Sequence, residues 1–289
     1  MLKVNNYSII SKKVNNITMA FLSDIHYYEN FDIKLEEDLI KKVKQILPNY
    51  IFITGDIIDN ASYLDMEFNR DKLLNFMKSL SSITKVFLIL GGHDLEDVKE
   101  KDYTKYKKIW HQLIDNKDNI YLLDNSIYTD DNINVIGITL EYEYYRTKPY
   151  ENVDLIIEEL NKNKYKVSNK KYNILLLHSP RRIITNKAVN NISLLNSIDL
   201  ILCGHMHDGV LPKFLKWLPT SIGLISPHKT LFPKYARGMI HKKTSNVNIF
   251  LLVSSGVTKI SNSAPQFVKK LKWGYDNDIE CIKVSDKNG

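Results

Sequence analysis

Cysteine is nearly absent: 289 residues contain two, Cys203 and Cys281. Two thiols cannot build a disulfide framework, so a reducing compartment fits and the chemistry is not expected to come from sulfur. Cys203 closes an apolar run and reads as a small core residue. Glycine (11) and proline (8) are too scarce for a fibrous or low-complexity chain. No unbroken apolar run reaches the roughly 18 residues that a membrane-spanning helix needs. Residues Met1–Asn16 carry Lys3, Lys12 and Lys13 and no apolar stretch of signal-peptide length. The chain is therefore expected to be neither exported nor membrane-spanning, and its expected location is cytoplasmic.

What is present is an ordinary soluble composition, 44% hydrophobic and 25% charged. Forty Lys and Arg outweigh 33 Asp and Glu, a net charge of +7, which favours anionic partners: nucleic acid, phosphorylated small molecules or anionic lipid. Heavy use of Asn, Lys, Ile and Tyr gives part of the same bias, as an AT-rich genome would.

Short apolar runs alternate with longer helical patterns. Strands are expected at Thr18–Ser23, Tyr50–Thr54, Val86–Leu90, Ile133–Thr139, Asn173–Leu177, Asp199–Cys203, Ile249–Ser254 and Ile279–Val284. Helices are expected at Ile33–Leu47, stopped by Pro48, and at Leu64–Leu80, Lys101–Asp115, Val153–Lys166 and Arg182–Ile198. On the first, Leu35, Leu39, Ile40, Val43, Ile46 and Leu47 share one face; on the second, Leu73, Leu74, Met77 and Leu80 point inward. The alternation argues for an α/β layered fold. No repeat and no Gly/Ser linker interrupts it, so residues 1–289 read as a single domain.

Five of these strands end in short polar groups: Ser23-Asp24-Ile25-His26, Gly55-Asp56-Ile57-Ile58-Asp59, Gly91-Gly92-His93-Asp94, His178-Ser179-Pro180 and Gly204-His205-Met206-His207. Any one alone reads as a turn or helix cap. Together they use five of the eight histidines, with His228 in a sixth motif-like context. Sites in open α/β sheets form beyond the carboxyl ends of strands, so residues remote in sequence can meet at one rim. Imidazoles and carboxylates are ligands for divalent Mn, Fe or Zn. Asp24 and His26, two apart, can aim at one ion, as can His205 and His207. Asp56, with two oxygens, can bridge two ions, and two ions about 3.5–4 Å apart clamp an in-line displacement at phosphorus. His111 and His241 are expected on a helix surface and in a loop.

The order and spacing of these motifs resemble the calcineurin-like metallophosphoesterases. The segment Leu218–Gly238, Ser254-Ser255-Gly256-Val257 and Pro265 resemble a bacterial, membrane-associated branch. The resemblance implies a four-layer α/β/β/α sandwich of two stacked mixed sheets flanked by helices. It implies two divalent metal ions (Mn, Fe or Zn), with Asp24, His26 and His207 on the first, Asp56 bridging, and His178 and His205 on the second. His93 would protonate the leaving oxygen, oriented by Asp94. The implied activity is hydrolysis of a phosphoester or pyrophosphate bond by a metal-bridging hydroxide.

Two positions depart from that pattern. Family members usually carry Asn before the His at 93, its oxygen on the second metal; here Gly92 has no side chain. Three readings stand: a weak but usable second site, compensation by Asn60 or Asp59, or binding without catalysis. Asp208-Gly209 stands where the branch tends to have two glycines, and an extra carboxylate there binds through water or repels an anionic substrate.

The stretch Leu211–Pro219 mixes large apolar residues with Lys213 and Lys216. Such a loop either packs with solvated lysines or rims the site and leans on an anionic membrane surface. The second option suits a phosphorylated small-molecule or lipid-linked substrate and a peripheral place at the inner membrane face. Nucleic acid is the less favoured partner: Tyr142, Tyr144, Tyr145 and Tyr150 near Arg146 and Lys148 form the best aromatic–basic cluster, without the even spacing of a stacking platform. The competing functions are a metal- or lipid-binding homologue without turnover and a nucleic-acid phosphodiesterase.

Overall fold

The structure is a computed structural model. It describes residues 2–96, 103–114, 118–140, 153–162, 165, 167–180, 183–215, 217, 221–227, 231–259 and 276–286. The Tyr142–Tyr150 cluster, His228 and Pro265 lie outside the described residues.

Among the described residues, twelve strands make two mixed sheets. The first has the order β1(Leu2–Ile10), β12(Asn277–Ser285), β2(Ile17–Leu22), β3(Tyr50–Thr54), β4(Lys85–Ile89), β5(Ile120–Leu122). The second runs β10(Gly238–Lys243), β11(Asn248–Val253), β9(Leu200–Cys203), β8(Tyr172–Leu177), β7(Ile133–Ile138), β6(Ser126–Thr129). Strands β2 to β5 are mutually parallel, as are β7, β8, β9 and β11. Their carboxyl ends therefore share one rim in each sheet.

Three cores account for the unbroken apolar runs. Alternate residues of each central strand point to opposite faces, and here both faces are covered. Met19, Phe21, Phe52, Phe87, Val135, Ile174 and Leu202 fill the space between the sheets. Ala20, Leu22, Ile51, Ile53, Val86 and Leu88 face outward from the first sheet onto α1(Ile33–Ile46), α2(Glu67–Ser81) and α4(Tyr103–Ile114). Ile136, Leu175, Leu177, Ile201 and Cys203 face outward from the second onto α5(Val153–Lys162) and α6(Asn186–Asn191). The layers are thus helix, sheet, sheet, helix. No helix among the described residues is long and apolar enough to cross a membrane.

Differences from expectation have local causes. Leu47 is 81% exposed, because it is the left-handed cap (φ 53°) that ends α1. The helix expected from Leu64 splits into a 3-10 turn at Ala61–Asp65 and α2, where Phe76 rather than Leu74 is buried. Arg182–Ile198 breaks into α6 and a 3-10 turn at Ser193–Asn196. His241 lies on strand β10, stacked on Phe250 with ring centroids 4.3 Å apart, and not in a loop.

Candidate metal centre

At the rim of each sheet, backbone hydrogen bonds continue neighbouring strands into their loops. Asp24 N–H donates to the Gly55 carbonyl (3.1 Å), His26 N–H to the Asp56 carbonyl (3.0 Å) and Gly204 N–H to the His178 carbonyl (2.8 Å). His205 N–H, from the second sheet, reaches the Asp24 carboxylate of the first at 3.0 Å.

The turns are sharp and the backbone takes an uncommon form to make them. Asp24 (φ 53°), His26 (50°), Asp56 (49°), His205 (69°) and His207 (45°) all sit in the left-handed region. For non-glycine residues this conformation costs of order 1 kcal/mol each and clusters at functional sites. Gly55 (φ +84°) is required on a second count: a Cβ there would lie 2.5 Å from the Gly91 nitrogen and 2.9 Å from His178 Nδ1.

Two groups of donors result, and they share Asp56. Asp24, His26, Asp56 and His207 place one ligand atom each within 4.8 Å of one another, and so do Asp56, His178 and His205. Asp24, His26, Asp56 and His178 are buried; His205 and His207 are half-buried.

Hydrogen bonding fixes which nitrogen faces inward. A carbonyl only accepts, so the ring nitrogen beside it carries the proton. His178 Nδ1–H donates to the Thr54 carbonyl (2.6 Å) and His207 Nδ1–H to the Thr258 carbonyl (3.1 Å). Their Nε2 atoms then face carboxylates: His178 Nε2 lies 3.1 Å from Asp56 Oδ2, and His207 Nε2 lies 3.5 Å from Asp24 Oδ1. His178 Nε2 also lies 3.1 Å from His205 Nδ1. Asp59 Oδ1 stands 3.3 Å from His26 Nδ1, and the opposite nitrogen, Nε2, is buried without a hydrogen-bond partner.

This donor set fits divalent cations. Imidazole nitrogens and carboxylate oxygens converge there; carbonyls back His178 and His207 and the Asp59 carboxylate stands beside His26, the usual support of metal-bound histidine. The electrostatics agree. Burial lowers the pKa of His178, yet the Asp56 carboxylate beside it more than reverses this, up to about 9. Burial raises the pKa of Asp56, while His178 and His93 hold it well below the carboxylate range. Positive charge is favoured where the second donor group converges. His207 moves the other way, down to about 4, chiefly by burial, which keeps it in the neutral, ligating form.

A model of the calcineurin-like phosphoesterase family matches residues 17–209. The chain belongs to this family. An uncharacterised metallophosphoesterase of Helicobacter pylori (strain J99) is 22% identical over 284 residues, covering 96% of this chain and 62% of that protein. One of Aquifex aeolicus (strain VF5) is 26% identical over 220 residues, covering 73% and 71%. The chain thus spans 62% of the length of the Helicobacter relative. Among solved structures, a dimetal phosphatase of Danio rerio matches with a TM-score of 0.44 and 12% identity, covering 84% of this chain and 88% of that one.

The remaining candidates of this phosphoesterase-family centre fall as follows. His93 is half-buried beside His26, ring centroids 4.8 Å apart, and its backbone N–H donates to Asp56 Oδ1 (2.9 Å). Its Nδ1–H donates to the Asp59 carbonyl (2.8 Å). Burial lowers its pKa, but the Asp56 charge, the Asp59 carbonyl and the Asp59 and Glu96 charges together outweigh this and leave it raised. Asp94, expected to orient His93, does not. Its carboxylate accepts from the backbone N–H groups of Ile57 (2.8 Å), Ile58 (3.0 Å) and Gly91 (2.8 Å), stapling the loop after β3 to the loop after β4. Burial and the nearby Asp56 charge push its pKa up to about 7.

The two residues considered as substitutes for the usual asparagine at Gly92 are engaged by other groups. Asn60 Oδ1 accepts from the Ser62 N–H (2.9 Å) and hydroxyl (2.6 Å), and Asp59 backs His26. Asp208 is 1% exposed, with Arg237 Nε at 3.4 Å and Lys259 Nζ at 3.8 Å, so its charge is matched by two cations. Sequence reasoning missed the backing groups. Backbone carbonyls carry no residue signature, but Asp59, three positions beyond Asp56, was visible as a carboxylate in the motif.

Proposed function

We propose that the chain is a dinuclear metal-dependent phosphohydrolase that cleaves a phosphoester or pyrophosphate bond. The observation that carries this reading is the pair of donor groups sharing Asp56. Asp24, His26 and His207 would hold one ion, His178 and His205 the other, and Asp56 both. Bound there, divalent ions supply Lewis-acid charge for phosphoryl oxygens and lower the pKa of a water to about 7. The protein contributes orientation and a proton. The carbonyls of Thr54 and Thr258 hold the His178 and His207 rings with Nε2 inward. His93, with Nδ1–H held by Asp59, offers Nε2–H to the leaving oxygen when protonated.

The test is hydrolysis of bis(p-nitrophenyl) phosphate with manganese. Asp56→Asn is expected to lose more than about a hundredfold, the upper end for residues that only back a ligand. Unchanged turnover would remove the bridging role. Bound metal with no turnover on monoester, diester or pyrophosphate would leave a binding protein.

A lipid-linked substrate is favoured by one further observation. Phe214 (76% exposed), Trp217 (77%), Leu231 (66%) and Phe232 (62%) stand open to solvent on the segment after the His205–His207 motif, where Lys213, Lys216, Lys229 and Lys234 add positive charge. Such a mixture suits an anionic bilayer surface. Co-sedimentation with phosphatidylglycerol vesicles is expected to fall in a Phe214→Ser/Trp217→Ser variant; sedimentation equal to wild type would end the membrane reading.

A further inference from the structure

Beside the metal centre, at the same rim, lies a second buried group of charges that no motif announces. Asp278 and Asp208 are 1% exposed, Lys259 6% and Arg237 9%. Lys259 is the hub. Its Nζ stands 3.1 Å from Asp278 Oδ2 and 3.8 Å from Asp208 Oδ2, and it donates to the Ser255 carbonyl at 2.6 Å. These contacts join three segments: the turn after β9, the loop after β11 and the first residues of β12.

Both segments that set the His207 ring end in this cluster. Asp208 follows His207 directly, on left-handed backbone (φ 62°). Lys259 follows Thr258, whose carbonyl holds His207 Nδ1–H, whose N–H donates to the Asp24 carbonyl (2.9 Å), and whose hydroxyl donates to the Ile25 carbonyl (2.8 Å). Thr258 thus touches the segments of three candidate ligands of the first metal position, and Lys259 anchors it. Without the ammonium, Asp278 loses the cation at 3.1 Å and Asp208 keeps only Arg237, which is costly for buried charge, so the loops would shift to hydrate them.

We propose that Lys259 is a positioning residue for the first metal position: by binding Asp208 and Asp278 together it locks the 254–259 loop against Asp208, the residue after His207, and so fixes the His207 ring. This rests on the dinuclear reading of the site. Lys259 acts through the Thr258 carbonyl and touches neither ion nor substrate. The second position, built from His178 and His205 on Asp56, takes no ring support from Thr258: His178 Nδ1–H is held by the Thr54 carbonyl.

The experiment is Mn(II) titration of metal-stripped full-length protein by calorimetry and electron paramagnetic resonance, in two backgrounds that each keep one position. In His178→Ala, which keeps the first position, Lys259→Met is expected to weaken Mn(II) binding about 10–100-fold, the range for groups that orient a ligand. In His207→Ala, Lys259→Met is expected to leave binding unchanged, and Lys259→Arg should restore most of the loss in the first background. A residue that merely stabilises the fold would lower the melting temperature without separating the two backgrounds, and equal effects in both would overturn the proposal. So would unchanged binding in His178→Ala. If Lys259→Met does not fold, Asp278→Asn decides: the same selective loss supports the proposal, and none overturns it. Wild-type protein that takes up no Mn(II) would fail the dinuclear reading itself.

Discussion

Two clusters of buried carboxylates sit side by side at the rim, and they meet the same electrostatic demand by opposite means. Around Asp208 and Asp278 the chain supplies its own cations, Lys259 and Arg237. Around Asp24 and Asp56 it supplies imidazoles whose Nε2 atoms face the carboxylates. The first cluster is balanced as it stands. The second needs positive charge from outside, and the rise of His178 to about 9 is a proton filling that need. The contrast teaches that burial of an acid says little about function; the orientation of its partners does. A buried aspartate beside lysine is closed, whereas one beside a carbonyl-backed histidine is open to a cation.

Metal should therefore separate the clusters most strongly. Ligand at about 1,000 times its Kd adds about 4 kcal/mol per site by mass action. Urea unfolding in EDTA and in excess MnCl2 should differ by that order, and coincident curves would break the comparison. Proton titration should separate them next. Burial pushes Glu280, beside the closed cluster, up to about 7 from an ordinary value of 4.5. A raised carboxyl pKa stabilises the fold below the unfolded pKa and loses that contribution as pH rises through the folded one. Stability against unfolding in EDTA should fall between pH 4.5 and 7 by at most about 3 kcal/mol, and Glu280→Gln should flatten that slope. Asp59→Asn should weaken metal at the position holding His26 by about 10–100-fold, measured in the His178→Ala background. The smallest effect should be Gly92→Asn. Gly92 opens α3(Gly92–Leu95) in helical conformation, which accepts a side chain. An added amide oxygen should tighten the second position by about tenfold, and no change would show that asparagine at 92 does not reach it.

The parts of the molecule legible in the sequence were those carried by side chains in short runs. Tyr50–Thr54 and Asn173–Leu177 announce central strands because both faces are buried, and the Asp and His groups follow them directly. The edge strands β1 and β10 were not legible, since only Leu2 and Ile9 in β1 and Gly238 in β10 are buried and the rest, many of them polar, are partly or fully exposed. Asp94 sat where a histidine partner was expected, but its carboxylate is spent on backbone N–H groups that no sequence displays. Asp208 read as a stray charge near the metals because its partners, Arg237 and Lys259, are distant in the chain. Thr54 and Thr258 were invisible for a different reason: they work through carbonyls.

The place of β12 has a consequence for synthesis. It lies between β1 and β2, parallel to one and antiparallel to the other, and carries Asp278 and Glu280. The amino-terminal strand β1 has no neighbour to pair with until residues 277–285 leave the ribosome, some ten seconds or more later at about 5–20 residues per second. A strand made long after β1 is the one that joins it to the rest of its sheet, and until then that seam stays open.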